Sequence, residues 1–359
     1  MLWLLIIPVI PYFLILAYIF RGHFRNKFLK GEVIDRVKVS VVIACLNEEE
    51  YLPSLLNDLA AQDYPADLFE VIFVDDHSVD NTGSVASSFC NRGRFRVLRN
   101  SGTGKKSALR TGIMASDGDL ILTTDADCRV SCRWVSAVAS FYSSNRPDLL
   151  IGPVHLSEER GLFHRFQQLE FFSLQGITAA TAGLSDPVMC NGANLAFTRD
   201  IYEKHSGNLH DEIASGDDIF LLQSIKSENS KILWLGDRDA VVKTRAAGSF
   251  RQFLDQRARW VSKSGAYEDK FMRLLALITL IANIDFAFML VGGIFIPGML
   301  PVSVAGFIIK SIPDLMILCT VTSSYKKTNL LWWFIPSQVI YPFYVITVSV
   351  YSLFRKNRW

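Results

Sequence analysis

"DLILTTDADC", residues 119–128, is an apolar run that closes on two aspartates one residue apart. Read as a strand, alternate side chains share a face, so Asp125 and Asp127 point to the same side at its C-terminal end. Two carboxylates so placed repel each other, and a site that keeps both has use for a cation. Paired oxygen ligands suit a hard divalent ion, Mg²⁺ or Mn²⁺, which would in turn hold a diphosphate. Such an ion also stabilises negative charge developing on a leaving group. Taken alone, the pair reads more often as a solvated Asp-x-Asp turn after a strand, so the surrounding stretches have to decide.

Those stretches alternate as an α/β domain should. "VKVSVVIACL" (37–46), "FEVIFVDD" (69–76) and "RFRVLRN" (94–100) are strand-like, and the run ending at Asp125 is a fourth. "NEEEYLPSLLNDLAAQ" (47–62) predicts a helix with acidic residues in its first turn, and "HSVDNTGSVASSF" (77–89) a turn leading into another. Ligands of such sheets gather at the carboxyl ends of the strands, where Asp76, Asp125 and Asp127 all fall. "GTGKKS" (102–107) is no standard phosphate loop: Arg99 stands at the first-glycine position, and Lys105 is followed by Lys106. No G-x-G-x-x-G follows the first strand either, so a nucleotide would bind by another device.

Composition places this domain beside a membrane. The chain has 359 residues, half of them hydrophobic, and a net charge of only +2 that gives no reason to expect nucleic acid. Trp3 to Phe20 is an uncharged apolar run of about bilayer length, without the flanks of a cleaved signal peptide. Arg21, Arg25, Lys27 and Lys30 follow it and predict that the next segment is cytoplasmic. Three further spans are expected near 272–293, 301–322 and 330–353, with Lys326 and Lys327 in a cytoplasmic loop. Lys310 and Asp314 lie inside the middle one, four apart, where on a helix they can pair. The tail Arg355, Lys356, Arg358 would then end outside, which leaves the topology of this third open. The six cysteines are scattered without metal spacing and read as free thiols in a reducing compartment. The expected organisation is an anchor at 1–21, a catalytic domain at 37–245, an amphipathic interface helix at 246–268 and a membrane region at 270–355.

Three stretches remain. "SGDDIFLLQSIK" (215–226) opens a helix on two aspartates, which N-terminal capping by Asp217 would also explain. "SFRQFLDQRARWVSKSG" (249–265) winds with Phe250, Phe253, Leu254 and Val261 on one stripe, Gln256 and Arg259 opposite and Trp260 flanking, as a basic helix on a membrane surface would. "GLFHRFQQLEFFSLQGITAATAGL" (161–184) reads either as a second interface helix, interrupted by Glu170, or as an ordinary domain helix. Asn191 and Asn194 in the following "MCNGANLAF" read as acceptor contacts or as turn residues.

In order and spacing, "VSVVIACLNEE", "VIFVDDHSVD", "GKKSALRTGI", "TTDADC", "GDD" and "QRARW" resemble the membrane glycosyltransferases of family 2. "QRARW" is similar to the Gln-x-x-Arg-Trp signature of members such as cellulose, chitin and hyaluronan synthases and ceramide glucosyltransferase. The resemblance implies an α/β domain of the GT-A type with one N-terminal and about three C-terminal transmembrane helices. It implies that Asp76 contacts the uracil or ribose of a UDP-sugar, helped by Asn47 and Glu48, and that Lys105 faces the diphosphate. Asp125 and Asp127 would hold UDP and a Mg²⁺ or Mn²⁺ ion, and Asp218 would be the base that takes the acceptor hydroxyl's proton. Gln256, Arg259 and Trp260 would close over the diphosphate and shape the acceptor entrance. Arg110 departs from the family's usual Asn, and "GDD" replaces the commoner Glu-Asp. The expected activity is a metal-dependent, inverting, single-turn transfer of a hexose to a membrane lipid. The alternatives are a small processive polysaccharide synthase and a non-catalytic nucleotide-sugar-binding subunit, the latter disfavoured by the intact set of acidic and cationic residues.

Overall fold

β-Branched and aromatic residues dominate the strand-like runs, and each becomes a strand. The computed structural model describes residues 2–25, 36–210, 213, 215–228 and 230–354; Lys27, Lys30, Arg355, Lys356 and Arg358 lie outside the described residues. Two compact units emerge, one made of 27–157 and 189–245, the other of 1–26, 158–188 and 246–359. The sequence reading keeps 158–188 inside the domain at 37–245, whereas in the structure this segment packs with the apolar helices.

The first unit holds strands β1 (Val39–Cys45), β2 (Phe69–Asp75), β3 (Phe95–Arg99), β4 (Leu120–Thr123), β5 (Leu149–Ile151), β6 (Val154–Leu156), β7 (Leu195–Thr198), β8 (Ile232–Trp234) and β9 (Val242–Thr244). Seven form one sheet in the order β3-β2-β1-β4-β7-β5-β8, and β6 pairs with β9 in a second. The β3-β2-β1-β4 half is parallel, so the carboxyl ends of β1, β2 and β4 open on the same edge. β7 is antiparallel to both β4 and β5, which makes the sheet mixed. β1 and β2 are buried on both faces, which is why they read as unbroken apolar runs.

The second unit is helical. Among the described residues, four of its segments are long and apolar enough to cross a membrane: Leu2–Phe24, Lys270–Phe295, Leu300–Ser324 and Thr328–Phe354. Lys310 is fully buried, donates to Asp314 (3.0 Å) and to Gln338 (3.1 Å), and Tyr12 donates to the other Asp314 oxygen (2.6 Å). The anticipated pair is thus part of a network joining three of the four apolar segments, and each polar group finds a partner. The helix Leu162–Gly183 lies buried among these segments; Tyr12, Leu16 and Ile19 share a core with its Ala180 and with Ile317. Gly22 makes this approach possible, since a Cβ there would stand 1.8 Å from the Ala180 carbonyl oxygen. Gly176 similarly meets Ile317, its added Cβ lying 2.4 Å from Cγ2.

Backbone cannot yield as a flexible side chain does, so Gly22→Ala should destabilise the helical unit by ~1–3 kcal/mol or more. Gly265→Ala, where nothing lies within 4 Å, is the control. Thermal unfolding in detergent should separate the two; equal midpoints would mean that the Gly22 crossing is not tight.

Candidate nucleotide and metal site

Loops at the carboxyl ends of β1, β2 and β4 carry the acidic residues. Asp125 and Asp127 do not sit on the strand: β4 stops at Thr123, and the two follow in a turn closed by Cys128 N–H donating to the Asp125 carbonyl (3.1 Å). The turn therefore brings them together, where strand alternation was expected to do so. Ligand atoms of Asp125, Asp127 and Cys128 lie within 4.8 Å of one another. The Cys128 thiol is buried and donates to Asp127 Oδ1 (3.6 Å), and burial followed by the Asp125 and Asp127 charges keeps it protonated. That leaves two carboxylates as donors, an oxygen set that fits Mg²⁺ or Mn²⁺. Burial, then the Asp125 charge, pushes the Asp127 carboxyl above its ordinary value, as expected of a site short of positive charge.

Lys105 faces this pair. Its ammonium donates to Asp125 Oδ1 at 2.6 Å. Burial pulls the ammonium pKa down, yet the charges of Asp125 and Asp217 outweigh burial and hold it above the ordinary lysine value. Asp218 acts on it in the same sense, so two acidic pairs distant in sequence converge on one cation. Burial, with Asp218 and Asp125 adding, raises the Asp217 carboxyl, and Lys105 opposes the shift. Asp218 is positioned separately: its Oδ2 accepts from Gly192 N–H (3.0 Å), and the Gly192 carbonyl accepts from Thr123 at the end of β4 (2.8 Å). Capping by Asp217, the alternative reading, is not what the structure shows: Gly216 precedes the helix Asp217–Lys226 in a left-handed conformation (φ +92°), and in the first turn Asp218 Oδ1 accepts from Ile219 N–H (2.8 Å).

Asp76 is buried, and its carboxylate accepts from Gly104 N–H (2.8 and 3.0 Å) and Asn100 Nδ2 (2.6 Å). Gly104 takes φ +90° immediately before the helix Lys105–Met114, a region that favours glycine. Asp76 thereby shapes the turn that presents Lys105. Asn47, also left-handed (φ +57°), accepts from Val79 N–H (2.9 Å). Glu48 lies beside it, its carboxyl pushed up to about 7 by burial and by Asp127, with Arg245 opposing. The predicted acidic first turn of the next helix is absent. The helix is Leu52–Ala60, begun by Pro53, and Glu49 instead accepts from Asn81 (2.8 Å). Asn194 is a core residue, fully buried, donating to the Pro153 and Ala240 carbonyls (2.9 and 2.8 Å).

Gln256, Arg259 and Trp260 belong to the helical unit, on the helix Phe250–Val261. Its buried face is Phe253, Arg257 and Ala258; Phe250 and Val261 of the predicted stripe are exposed. The reason is Arg257, which makes a two-pronged pair with Glu170 (2.9 and 2.6 Å), donates to Gln256 Oε1 (2.5 Å) and stands 4.3 Å from the Trp260 ring. Glu170, which seemed to interrupt an apolar face, is Arg257's partner and also accepts from Tyr344 (2.9 Å).

Three further residues escaped the sequence reading. Arg257 was hidden inside "QRARW". Arg245 lies over the Tyr51 ring (3.9 Å) and acts on Asp127 and Glu48 as a second cation of the first unit. Lys106 turns away from its neighbour: buried, it donates to the Leu209 and His210 carbonyls (2.5 and 2.7 Å), just before the Asp217–Asp218 helix.

Residues 40–206 match the family model described as Glycosyl transferase family 2. Over 252 residues the chain is 25% identical to the poly(ribitol-phosphate) beta-N-acetylglucosaminyltransferase of Staphylococcus aureus, a match covering 69% of this chain and only 42% of that protein. Over 126 residues it is 33% identical to the undecaprenyl-phosphate 4-deoxy-4-formamido-L-arabinose transferase of Yersinia pestis, covering 34% of each. Among solved structures, the mannosyltransferase from Pyrobaculum calidifontis in complex with GDP-Man and Mn²⁺ superposes with a TM-score of 0.63 at 18% identity, covering 99% of this chain and 100% of that one. At that identity the likeness establishes the fold, which is of the GT-A type.

Lys106→Met should leave two carbonyls without their donor and cost ~1–3 kcal/mol. A lower thermal midpoint with nucleotide binding retained is expected. An unchanged midpoint would show that the Leu209–His210 segment is held by something else.

Proposed function

We propose that the protein is a glycosyltransferase that moves a sugar from a nucleoside diphosphate sugar, UDP-hexose being the first candidate, to a membrane lipid. The observation that carries this reading is the convergence of Asp125, Asp217 and Asp218 on the Lys105 ammonium. On this reading one acidic pair holds a cation, the other acts on a hydroxyl, and the lysine meets a diphosphate. The family 2 match and the GT-A fold support it. A relative that carries undecaprenyl-phosphate in its name supports a lipid acceptor, and a GT-A structure with GDP-Man and Mn²⁺ supports a nucleotide-sugar donor with a divalent ion.

Asn47, Glu48 and Asp76 serve the nucleoside and Lys105 the diphosphate, while Gln256, Arg259 and Trp260 keep the role the family resemblance gives them at the diphosphate and the acceptor entrance. Asp125 and Asp127 would hold Mg²⁺ or Mn²⁺, which when bound would supply charge stabilisation for the departing diphosphate. Asp218 is oriented by Gly192 N–H and takes the proton of the attacking hydroxyl, which makes the oxygen a better nucleophile. Displacement from the face opposite the leaving group inverts the anomeric centre. The apolar helices present outward stripes at helical spacing, Leu274, Leu277, Ile281, Ile284 and Phe288 in one of them, as a bilayer requires. Arg21 and Arg25 after the first span, with Lys326 and Lys327, favour a cytoplasmic catalytic unit.

A panel of radiolabelled UDP- and GDP-sugars given to membrane vesicles tests substrate and orientation together. Inverted vesicles should place label in the organic phase, sealed right-side-out vesicles should not, and Asp218→Asn should lose roughly 10²-fold or more of the rate. Label found only in long, lipid-free polymer would replace this reading by a polysaccharide synthase. Transfer by right-side-out vesicles would invert the topology, and near-normal Asp218→Asn turnover would move the base elsewhere.

A further inference from the structure

We propose that Lys105 is an exchangeable counter-ion: its ammonium occupies Asp125 until a divalent ion and a nucleoside diphosphate arrive together, so that each is bound well only in the presence of the other. The inference rests on the metal and diphosphate reading above and concerns how the site is loaded.

The oxygen that accepts from Lys105, Asp125 Oδ1 at 2.6 Å, belongs to one of the two carboxylates assigned to the metal. A divalent ion binding alone would bring two positive charges beside an ammonium in a site only partly open to water, the Lys105 side chain being 28% and the Asp125 side chain 35% exposed. Like charges so close repel strongly at reduced dielectric. A nucleoside diphosphate arriving alone would meet Asp125, Asp127, Asp217 and Asp218, with Lys105 already committed to them. When both arrive, the metal takes Asp125 and the diphosphate gives Lys105 a new anionic partner, so neither repulsion survives.

The local structure suits such an exchange. Asp76 fixes the backbone of the turn through Gly104 and Asn100, so the root of Lys105 is held. Its long stem and single point charge leave the ammonium able to change partners over a few ångströms, which a rigid guanidinium does less readily. Lys106 cannot stand in, being buried under the Leu209 and His210 carbonyls. Because coupling is reciprocal in equilibrium binding, the factor by which nucleotide strengthens metal binding equals the factor by which metal strengthens nucleotide binding.

The test is Mn²⁺ binding, read from the free-ion electron paramagnetic resonance signal, on the full chain in detergent with and without UDP or GDP. Wild-type protein should bind Mn²⁺ weakly alone and at least about tenfold more tightly with nucleotide. Lys105→Met should bind Mn²⁺ alone on the order of tenfold more tightly than wild type and lose most of the nucleotide's effect. Lys105→Arg should keep the coupling, and Lys105→Gln replaces Lys105→Met if the latter does not fold. The proposal is overturned if wild type shows nucleotide-dependent Mn²⁺ binding but neither neutral variant holds Mn²⁺ more tightly alone. Absence of Mn²⁺ binding even with nucleotide would instead remove the metal reading, and this inference with it.

Discussion

Mutual repulsion among four carboxylates is the constraint on which the sheet-containing unit turns. Two unit charges 4 Å apart interact by ~4 kcal/mol at a dielectric typical of a protein surface. A folded domain has only ~5–15 kcal/mol of stability to set against such repulsion. Asp125, Asp127, Asp217 and Asp218 can be kept together because separate parts of the fold hold them. The turn after β4 holds the first two, the Thr123–Gly192 link holds Asp218, and Lys105 supplies positive charge from a turn shaped by Asp76. Burial first, and the neighbouring carboxylate charges after it, hold the carboxyls of Asp127, Asp217 and Glu48 above their ordinary values. A site left in that condition is ready for a cation.

The helical unit meets the same difficulty in less polar surroundings, where a charge without a partner is worse. Lys310 is bound by Asp314 and Gln338, and Asp314 in turn by Tyr12 and Gln338. Arg257 is bound by Glu170, and Glu170 by Tyr344. Removing one partner of such a buried pair typically costs ~3–5 kcal/mol, because the other charge stays behind. These networks also set geometry. Arg257, held by Glu170, in turn donates to Gln256 and lies against the Trp260 ring, so this buried ion pair orders part of the helix Phe250–Val261.

Much of the fold was legible because period and punctuation carry it. The unbroken apolar runs of β1, β2 and β4 mark buried parallel strands, and the long, mostly apolar stretches mark the apolar helices. Asp125 and Asp127 stood out as a same-face pair, although the reason was wrong: a turn, and not the strand's alternation, joins them. What stayed hidden depends on contacts between distant residues. Nothing local tells that Lys105 points at Asp125 while Lys106 points at Leu209 and His210. Glu170 looked like a flaw in an apolar face because Arg257 lies 87 residues away. Glu49 was read into a helix that starts only at Leu52, and Asn194, left open between an acceptor contact and a turn role, is a buried core residue.

On the proposed reading, the acidic pair after β4 holds a metal that in turn holds a nucleotide. Calorimetry of UDP and GDP binding to the purified chain, with Mg²⁺ or Mn²⁺ and then in EDTA, tests it most directly. One nucleotide should bind with metal present and weaken sharply in EDTA, and Asp127→Asn should weaken it comparably even with metal. Equal affinity with and without metal, unchanged in Asp127→Asn, would contradict the account.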